Sequence, residues 1–260
     1  MCFTEYFELP RSSISTKAST NQSSGRPEDH YDRIAAAYDV ERFGCRCGEI
    51  LNETELGIVR GLLQRGGLTL DVGAGSGRFS LMAAELSDEV VALDASPRMI
   101  SVAAAKKDRG PIGHSISFLL GDVDSLPFRD AAFDNVIAIR LFSHFADLDR
   151  PASEMARVLK HGGRLIVDLP NRLARTYSRF DMNPTISSYC DYFHPLPEIK
   201  SALEKRSIQL SRRITYGAVP ISLLHRALCG HRKLVPPGLL KLLIGSGRGL
   251  SSFAEGVRYK

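Results

Sequence analysis

The stretch Leu68-Thr-Leu-Asp-Val-Gly-Ala-Gly-Ser-Gly-Arg-Phe79 decides the fold. Leu68, Leu70 and Val72 form an apolar strand pattern, Gly73, Gly75 and Gly77 follow at alternate positions, and a helical pattern begins at once. Glycine removes Cβ where the backbone turns sharply or where a ligand comes close. A helix start adds N–H groups that lack intrahelical partners. Asp71, two residues before the first glycine, is awkward beside a phosphate and useful beside a cationic ligand.

Outward from this turn the chain alternates regularly. Strands are predicted at Leu68–Val72, Glu89–Asp94, Ser115–Leu120, Phe133–Ile139 and Arg164–Leu169. Between them the pattern predicts helices Ser76–Leu86, Pro97–Asp108 and Pro151–Leu159, with Gly162-Gly163 as a helix stop. The strands are almost continuously apolar, as parallel strands covered on both faces are. Alternating β and α units imply a doubly wound α/β sheet. Upstream, a helix is predicted from Asp29 through Tyr31, Ile34, Ala35 and Tyr38, and a second over Gly48–Gln64, ended by Gly66-Gly67. After Pro170 the rhythm breaks. Residues 171–196 are irregular and carry Tyr177, Phe180, Tyr189, Tyr192 and Phe193. Helix Leu196–Arg206 and strand Ile208–Tyr216 resume the pattern, 217–248 read as an insertion with helices Ile221–Leu228 and Leu239–Ile244, and Ser252–Tyr259 reads as a last strand. The expected organisation is a tail (1–28) and one domain (29–260): helical cover 29–67, ligand-binding core 68–170, and a second cover with the last strands, 171–260.

The 260 residues are 43% hydrophobic and 24% charged, as in a soluble globular protein. No apolar run approaches the ~20 residues that span a bilayer. The net charge of +5 is uneven: residues 201–260 hold eleven Lys/Arg against Glu204 and Glu255, or +9. Such a lobe suits an anionic partner (a phosphorylated substrate, nucleic acid or a membrane surface), or is a solvated basic face. Leu234–Leu250, with Lys241 and Arg248 among leucines, reads as peripheral membrane contact or as a helix packed on the sheet. Cys2, Cys45, Cys47, Cys190 and Cys229 are odd in number and scattered, which predicts reduced thiols in a cytoplasmic protein and no metal site. Residues 1–28 are rich in Ser and Thr and lack an apolar core, so a mobile tail is expected rather than a secretory signal.

The glycine spacing is G-x-G-x-G, whereas dinucleotide binding wants G-x-G-x-x-G. Asp94 ends the second strand, twenty-one residues after Gly73, where a carboxylate accepts hydrogen bonds from both hydroxyls of a ribose. The helix cap that Asp94 could also be is better supplied by Ser96. In Gly121-Asp122-Val-Asp-Ser-Leu-Pro-Phe128, Asp122 can accept an exocyclic amine of adenine while the Val123 N–H serves a ring nitrogen; the alternative is a turn acid.

As an ordered set, Asp71-Val-Gly-Ala-Gly-Ser-Gly77, Leu93-Asp-Ala-Ser96, Gly121–Phe128, Phe133-Asp-Asn-Val-Ile137 and Val158-Leu-Lys-His-Gly-Gly-Arg-Leu165 resemble the class I, seven-stranded S-adenosylmethionine-dependent methyltransferases. The likeness is greatest to the branch acting on small molecules, quinone precursors and lipids. Tyr31–Asp39 resembles the N-terminal segment that covers the cofactor in that branch. The resemblance covers about residues 29–170. It implies a mostly parallel seven-stranded, Rossmann-like sheet with N-terminal helices and a C-terminal insertion as covers.

The resemblance also implies roles. Asp71, Gly73, Ala74, Gly75 and Gly77 would hold the methionine end of S-adenosylmethionine, Asp94 the ribose, Ala95 and Met99 the adenine, and Asp122 and Val123 its edge. Arg140 would lie near the methyl end through its backbone, and Tyr38 would close over the amino-acid end. The reaction would be in-line methyl transfer to a small-molecule or lipid-like acceptor, leaving S-adenosylhomocysteine. His144 is the best placed base, if one is needed, or a packing residue of its loop; His194 is a second candidate or a surface histidine. Arg140-Leu-Phe-Ser143 replaces the Asn/Asp-Pro-Pro-Tyr of amino-group methylators and the Pro-Cys of pyrimidine C5 methylators. An RNA methyltransferase using the basic lobe, a nicotinamide-dependent oxidoreductase and a non-catalytic cofactor-binding regulator are the alternatives. The aromatic residues of 171–195 would line an acceptor pocket or form the core of a small lobe.

Overall fold

The computed structural model describes residues 26–44, 46–109, 116–170, 192, 194–216 and 251–259. Three helices come first: α1 (Pro27–Ile34), α2 (Tyr38–Phe43) and α3 (Arg46–Leu62). Then follow β1 (Leu68–Val72), α4 (Arg78–Ala83), β2 (Glu89–Asp94), α5 (Pro97–Arg109), β3 (Ile116–Leu120), β4 (Phe133–Ala138), α6 (Asp149–Val158) and β5 (Leu159–Pro170). The last described elements are α7 (Leu196–Glu204), β6 (Ile208–Tyr216) and β7 (Ser251–Arg258).

The strands form one seven-stranded sheet in the order β3-β2-β1-β4-β5-β7-β6. β1 to β5 are parallel, and β7 runs antiparallel to both β5 and β6. The chain winds outward to β3, then crosses back to place β4 on the other side of β1. This reversal separates the connections beyond the carboxyl ends of β1 and β4, where open α/β sheets bind ligands.

Alternation along the strands divides the core. Leu70, Val72, Val136, Leu165 and Val167 pack on one face with Met155 of α6 and Leu203 of α7. Ile137 and Ile166 point to the other face, with Val59 and Leu62 of α3 and Met82 of α4. Asp71 lies between Leu70 and Val72, so it points to the α4 face, where its Oδ2 accepts a 2.6 Å hydrogen bond from Ser80 Oγ.

Several boundaries differ from the sequence pattern for physical reasons. The first helix begins at Pro27, where proline at the first helical position leaves no orphan N–H. The continuous helix expected through Tyr38 is broken at residues 35–37, because its two halves are anchored to different turns. Asp32 accepts hydrogen bonds from Ser96 Oγ (2.5 Å) and Arg98 N (3.1 Å), whereas Asp39 accepts one from Ser76 Oγ (2.6 Å) and pairs with Lys106. α4 starts at Arg78 because Gly77 holds a left-handed conformation at φ 77°. Gly162-Gly163 is not a helix stop: α6 ends at Val158, and the pair makes an irregularity inside β5, with Gly162 at φ 77°. Buried Leu159 pairs with Phe133 before it and Arg164 with Asn135 after it, so the strand needs both segments. The segments expected at Ile221–Leu228 and Leu239–Ile244 lie outside the described residues, as do Tyr177, Phe180, Tyr189 and Phe193.

Gly77 joins two constraints. A Cβ there would lie 2.8 Å from Ala103 Cβ of α5, and its φ is strained for any other residue. Gly77→Ala is expected to lower stability by about 2 kcal/mol in urea unfolding. A wild-type midpoint would show that the helix start accommodates a side chain.

Candidate functional site

The turns beyond β3, β2, β1 and β4 enclose, under α1 and α2, a cavity of about 370 Å3. Gly73–Ser76, Asp94 and Ala95, Gly121–Asp124, and Ile139–Leu141 with His144 and Phe145 form its walls; Pro27, Glu28, Tyr31 and Tyr38 cover it. Strand order arranges these turns in a row, from Gly121–Asp124 through Asp94 and the glycine turn to Arg140–Phe145. A ligand across the row meets one chemical environment per strand.

The three glycines serve three ends, all at positive φ. A Cβ on Gly73 would press on Leu141, and one on Gly77 on Ala103, so both permit close packing of protein on protein. A Cβ on Gly75 would meet nothing within 4 Å and would enter the cavity. Gly75 therefore leaves room for a ligand, and its N–H is directed to Asp94 Oδ2 at 2.7 Å. Ser96 N–H donates to Asp94 Oδ1 at 2.8 Å. Two backbone donors thus fix the Asp94 carboxyl at the cavity wall, while burial raises its pKa. Ser96 itself caps α5, its Oγ accepting from Met99 N–H at 3.0 Å, as the sequence indicates.

Beyond β3, Asp122 is partly a turn acid: its Oδ1 accepts from Asp124 N–H at 2.9 Å. Both acids line the cavity. Asp124 Oδ1 is buried with no hydrogen-bond partner among the described residues, and burial followed by Asp122 raises the Asp124 pKa. The Asp-x-Asp sequence contains both residues, but the 3-10 turn at Val123–Ser125 decides that the Asp122 carboxyl is the one tied to the turn backbone.

At the other end an ion cluster joins the cover to the site. Glu55 of α3 is buried and accepts from Arg78 (2.6 Å) and, through both oxygens, from Arg140 (2.7 Å). The guanidiniums of Arg78, Arg140 and Arg42 lie 4.3, 5.8 and 5.9 Å from the Phe43 ring centroid. Burial alone would raise the Glu55 pKa; Arg140, Arg78 and Arg42 overcome it and hold the group at about 2. Arg78 and Arg140 also line the cavity, so an anionic ligand group meets two guanidiniums that share one carboxylate. Arg140 adopts φ 60°, and its N–H donates to partly buried Asp168 at 2.7 Å. Such a conformation for a long side chain persists where surrounding contacts hold it.

Thus Tyr38, Gly73, Ala74, Gly75, Asp94, Ala95, Met99, Asp122, Val123, Arg140 and His144 converge on one cavity. Asp71 and Gly77 stand behind its wall, one beneath α4 and one against α5. His144 Nε2 lies 3.2 Å from Tyr31 Oη, and burial, helped by His30, lowers its pKa to about 4. His194 is away from the cavity and is not a surface residue: it is buried, with Nε2 2.7 Å from the Phe145 carbonyl oxygen and Nδ1 2.8 Å from Glu198. Among the described residues no three His, Cys, Asp or Glu side chains are grouped to hold a metal ion, and no helix is long and apolar enough to cross a membrane.

The methyltransferase-domain family matches residues 70–167, the segment that builds this row of turns. A demethylmenaquinone methyltransferase of Bacteroides fragilis is 33% identical over 170 residues, covering 61% of this chain and 65% of that protein. Another, of Tropheryma whipplei, is 31% identical over 183 residues, covering 62% and 74%. The chain belongs to the class I S-adenosylmethionine-dependent methyltransferases. The match thus spans just under two thirds of the Bacteroides relative's length. The methyltransferase fold itself extends further: an S-adenosylmethionine-dependent methyltransferase of Thermotoga maritima, described as a possible histamine N-methyltransferase, shares it with a TM-score of 0.64. That likeness covers 89% of this chain and 99% of the other at 22% identity, and concerns fold alone.

Two measurements probe the electrostatics. Glu55→Gln leaves the arginines without their carboxylate and is expected to cost about 3 kcal/mol of unfolding free energy; an unchanged denaturation midpoint would remove the cluster from the stability of the fold. Asp71 behaves oppositely. Burial pushes its pKa up to about 6, against the Ser80 hydrogen bond and with help from Asp94. The folded protein therefore binds this proton more tightly than the unfolded chain. That stabilisation is complete below about pH 4 and lost as pH rises through about 6. Asp71→Asn is expected to be more stable than wild type at pH 7 by roughly 1–3 kcal/mol, with the difference vanishing near pH 4. Urea titrations across that range check it, and a pH-independent difference would contradict it.

Proposed function

We propose that the protein transfers a methyl group from S-adenosylmethionine to a small-molecule acceptor. The observation that carries this is Asp94: its carboxyl is fixed by Gly75 and Ser96 N–H groups at the wall of a cavity that a Cβ on Gly75 would enter. The residues present fit the methyl donor. Asp94 can accept from ribose hydroxyls, and Asp124, with Asp122 and Val123, can meet an adenine edge. Arg78 and Arg140 offer guanidiniums to the methionine carboxylate, with the glycine turn beneath and Tyr38 above. Asp71 and Gly77 support this turn from behind rather than touch the ligand.

When bound, S-adenosylmethionine supplies a methyl group on a sulfonium, an electrophile that needs no covalent help from the protein. The chain's part is to orient the two partners and exclude water. α1 and α2 serve both ends, held down by Asp32 on the turn after β2 and by Asp39 on the glycine turn. The names of the Bacteroides and Tropheryma relatives favour a quinone-precursor acceptor. A cytoplasmic location accords with the scattered cysteines.

Calorimetric titration with S-adenosylhomocysteine tests this reading. Asp94→Ala and Gly75→Val are each expected to weaken binding at least tenfold, the first by removing the acceptor and the second by filling the cavity. No binding by folded wild-type protein, or near-normal affinity in both variants, would overturn it.

A further inference from the structure

Tyr192 and His194 lie along the connection after β4 and tie it down twice. Tyr192 N–H donates to the Ser143 carbonyl oxygen at 3.0 Å, and His194 Nε2 lies 2.7 Å from the Phe145 carbonyl oxygen. His144 and Phe145, on the connection so tied, line the cavity. On its other side the imidazole faces α7: Nδ1 lies 2.8 Å from Glu198 Oε1, and the Tyr192 ring stacks on it at 6.5 Å between centroids. Glu198 stands in the first turn of α7, where a negative charge suits a helix N-terminus. The helix itself is fixed by Ile199 and Leu203, both buried in the core. His194 is buried, so water has little access to its ring.

Both partners of the ring are acceptors, one a carbonyl oxygen and the other a carboxylate. A neutral imidazole has one N–H and satisfies only one of them; the imidazolium has two and satisfies both. We propose that His194 is a positioning residue that works as the imidazolium, joining α7 to the connection after β4 and so holding the His144–Phe145 wall of the cavity, and that loss of its proton frees that wall. With a single proton left, one ring nitrogen faces its acceptor lone pair to lone pair, and that tie is lost. The titratable groups around the ring are Glu198 on α7, Tyr192 beside it, and His144 on the connection. His144 does not change charge near neutrality, because burial and then His30 lower its pKa to about 4. Histidine is the side chain whose ordinary charge change falls between about pH 5 and about pH 8. The wall is therefore held on the acid side of that range and released on the basic side. The proton is exchanged with water, and no other bond is made or broken covalently.

What the wall faces rests on the methyltransferase reading, whereas the latch is measured without ligand. Amide hydrogen exchange of the full chain at about pH 5.5 and about pH 8, expressed as protection over the intrinsic rate, tests it. The Tyr192, His144 and Phe145 amides donate to Ser143, Leu141 and Phe142 carbonyl oxygens within this connection. Their protection is expected to be about tenfold lower at the higher pH, the effect of losing one hydrogen bond to a charged group. Nitrogen-15 spectra should show both His194 ring nitrogens protonated at the lower pH and one at the higher. In Glu198→Gln the side-chain amide can donate to a bare Nδ1 or accept from a protonated one, so protection should stay high and equal at both pH values. His194→Leu should show low protection at both. Wild-type protection independent of pH, a single ring proton at about pH 5.5, or an undiminished pH dependence in Glu198→Gln would each overturn the proposal. S-adenosylhomocysteine binding, measured separately, decides the methyltransferase reading; its absence in wild type would overturn that reading and not the latch.

Discussion

The hydrogen bond from Gly75 N–H to the Asp94 carboxylate ties together the ends of two neighbouring parallel strands. It requires the chain leaving β1 to fold back at once, with Gly73, Gly75 and Gly77 all at positive φ. Only glycine adopts that run without strain at each step. Once the turn closes on Asp94, α4 begins at Arg78 and packs back over Asp71, and the Arg78 side chain reaches Glu55. The turn thus sets the shape of the cavity floor and the direction of the helix that supports it.

The cover depends on that turn as well. Asp39 of α2 takes the hydroxyl of Ser76, in the middle of the glycine segment, while Asp32 of α1 takes Ser96 and the start of α5. Glu55 of α3 gathers Arg78 from the glycine side and Arg140 from the β4 side. Three carboxylates from the first three helices therefore reach the connections after β2, β1 and β4. These contacts join the helices of the cover to the turns beneath them. A buried carboxylate facing several arginines is costly to unpair.

Much of this architecture was legible. Strand alternation, the glycine turn and the acids at strand ends are local signals, and they located β1, β2 and the row of connections closely. The Gly162-Gly163 pair was misread because a glycine pair after a helix looks the same whether it ends the helix or interrupts a strand; pairing of both Leu159 and Arg164 with β4 decides it. The helix expected from Asp29 to Tyr38 has one continuous apolar face, and nothing local marks residues 35–37 as a break. Two anchors on different turns make it one.

The sequence by itself determined the fold and the row of connections that bounds the cavity, because parallel strands, tight turns and helix starts arise from contacts between near neighbours in the chain. Tertiary structure decided which of the marked residues line the cavity. Asp71 and Gly77 have the right spacing and stand behind the wall, since strand alternation and close packing on α5 turn them there. Asp124, Arg78 and Tyr31 carry no individual role in the sequence reading, yet all three line the cavity, Arg78 held by the buried Glu55 and Tyr31 beside the distant His144. Spacing reports where the backbone goes; the burial and pairing of charges, which join residues far apart in the chain, report what the site can hold.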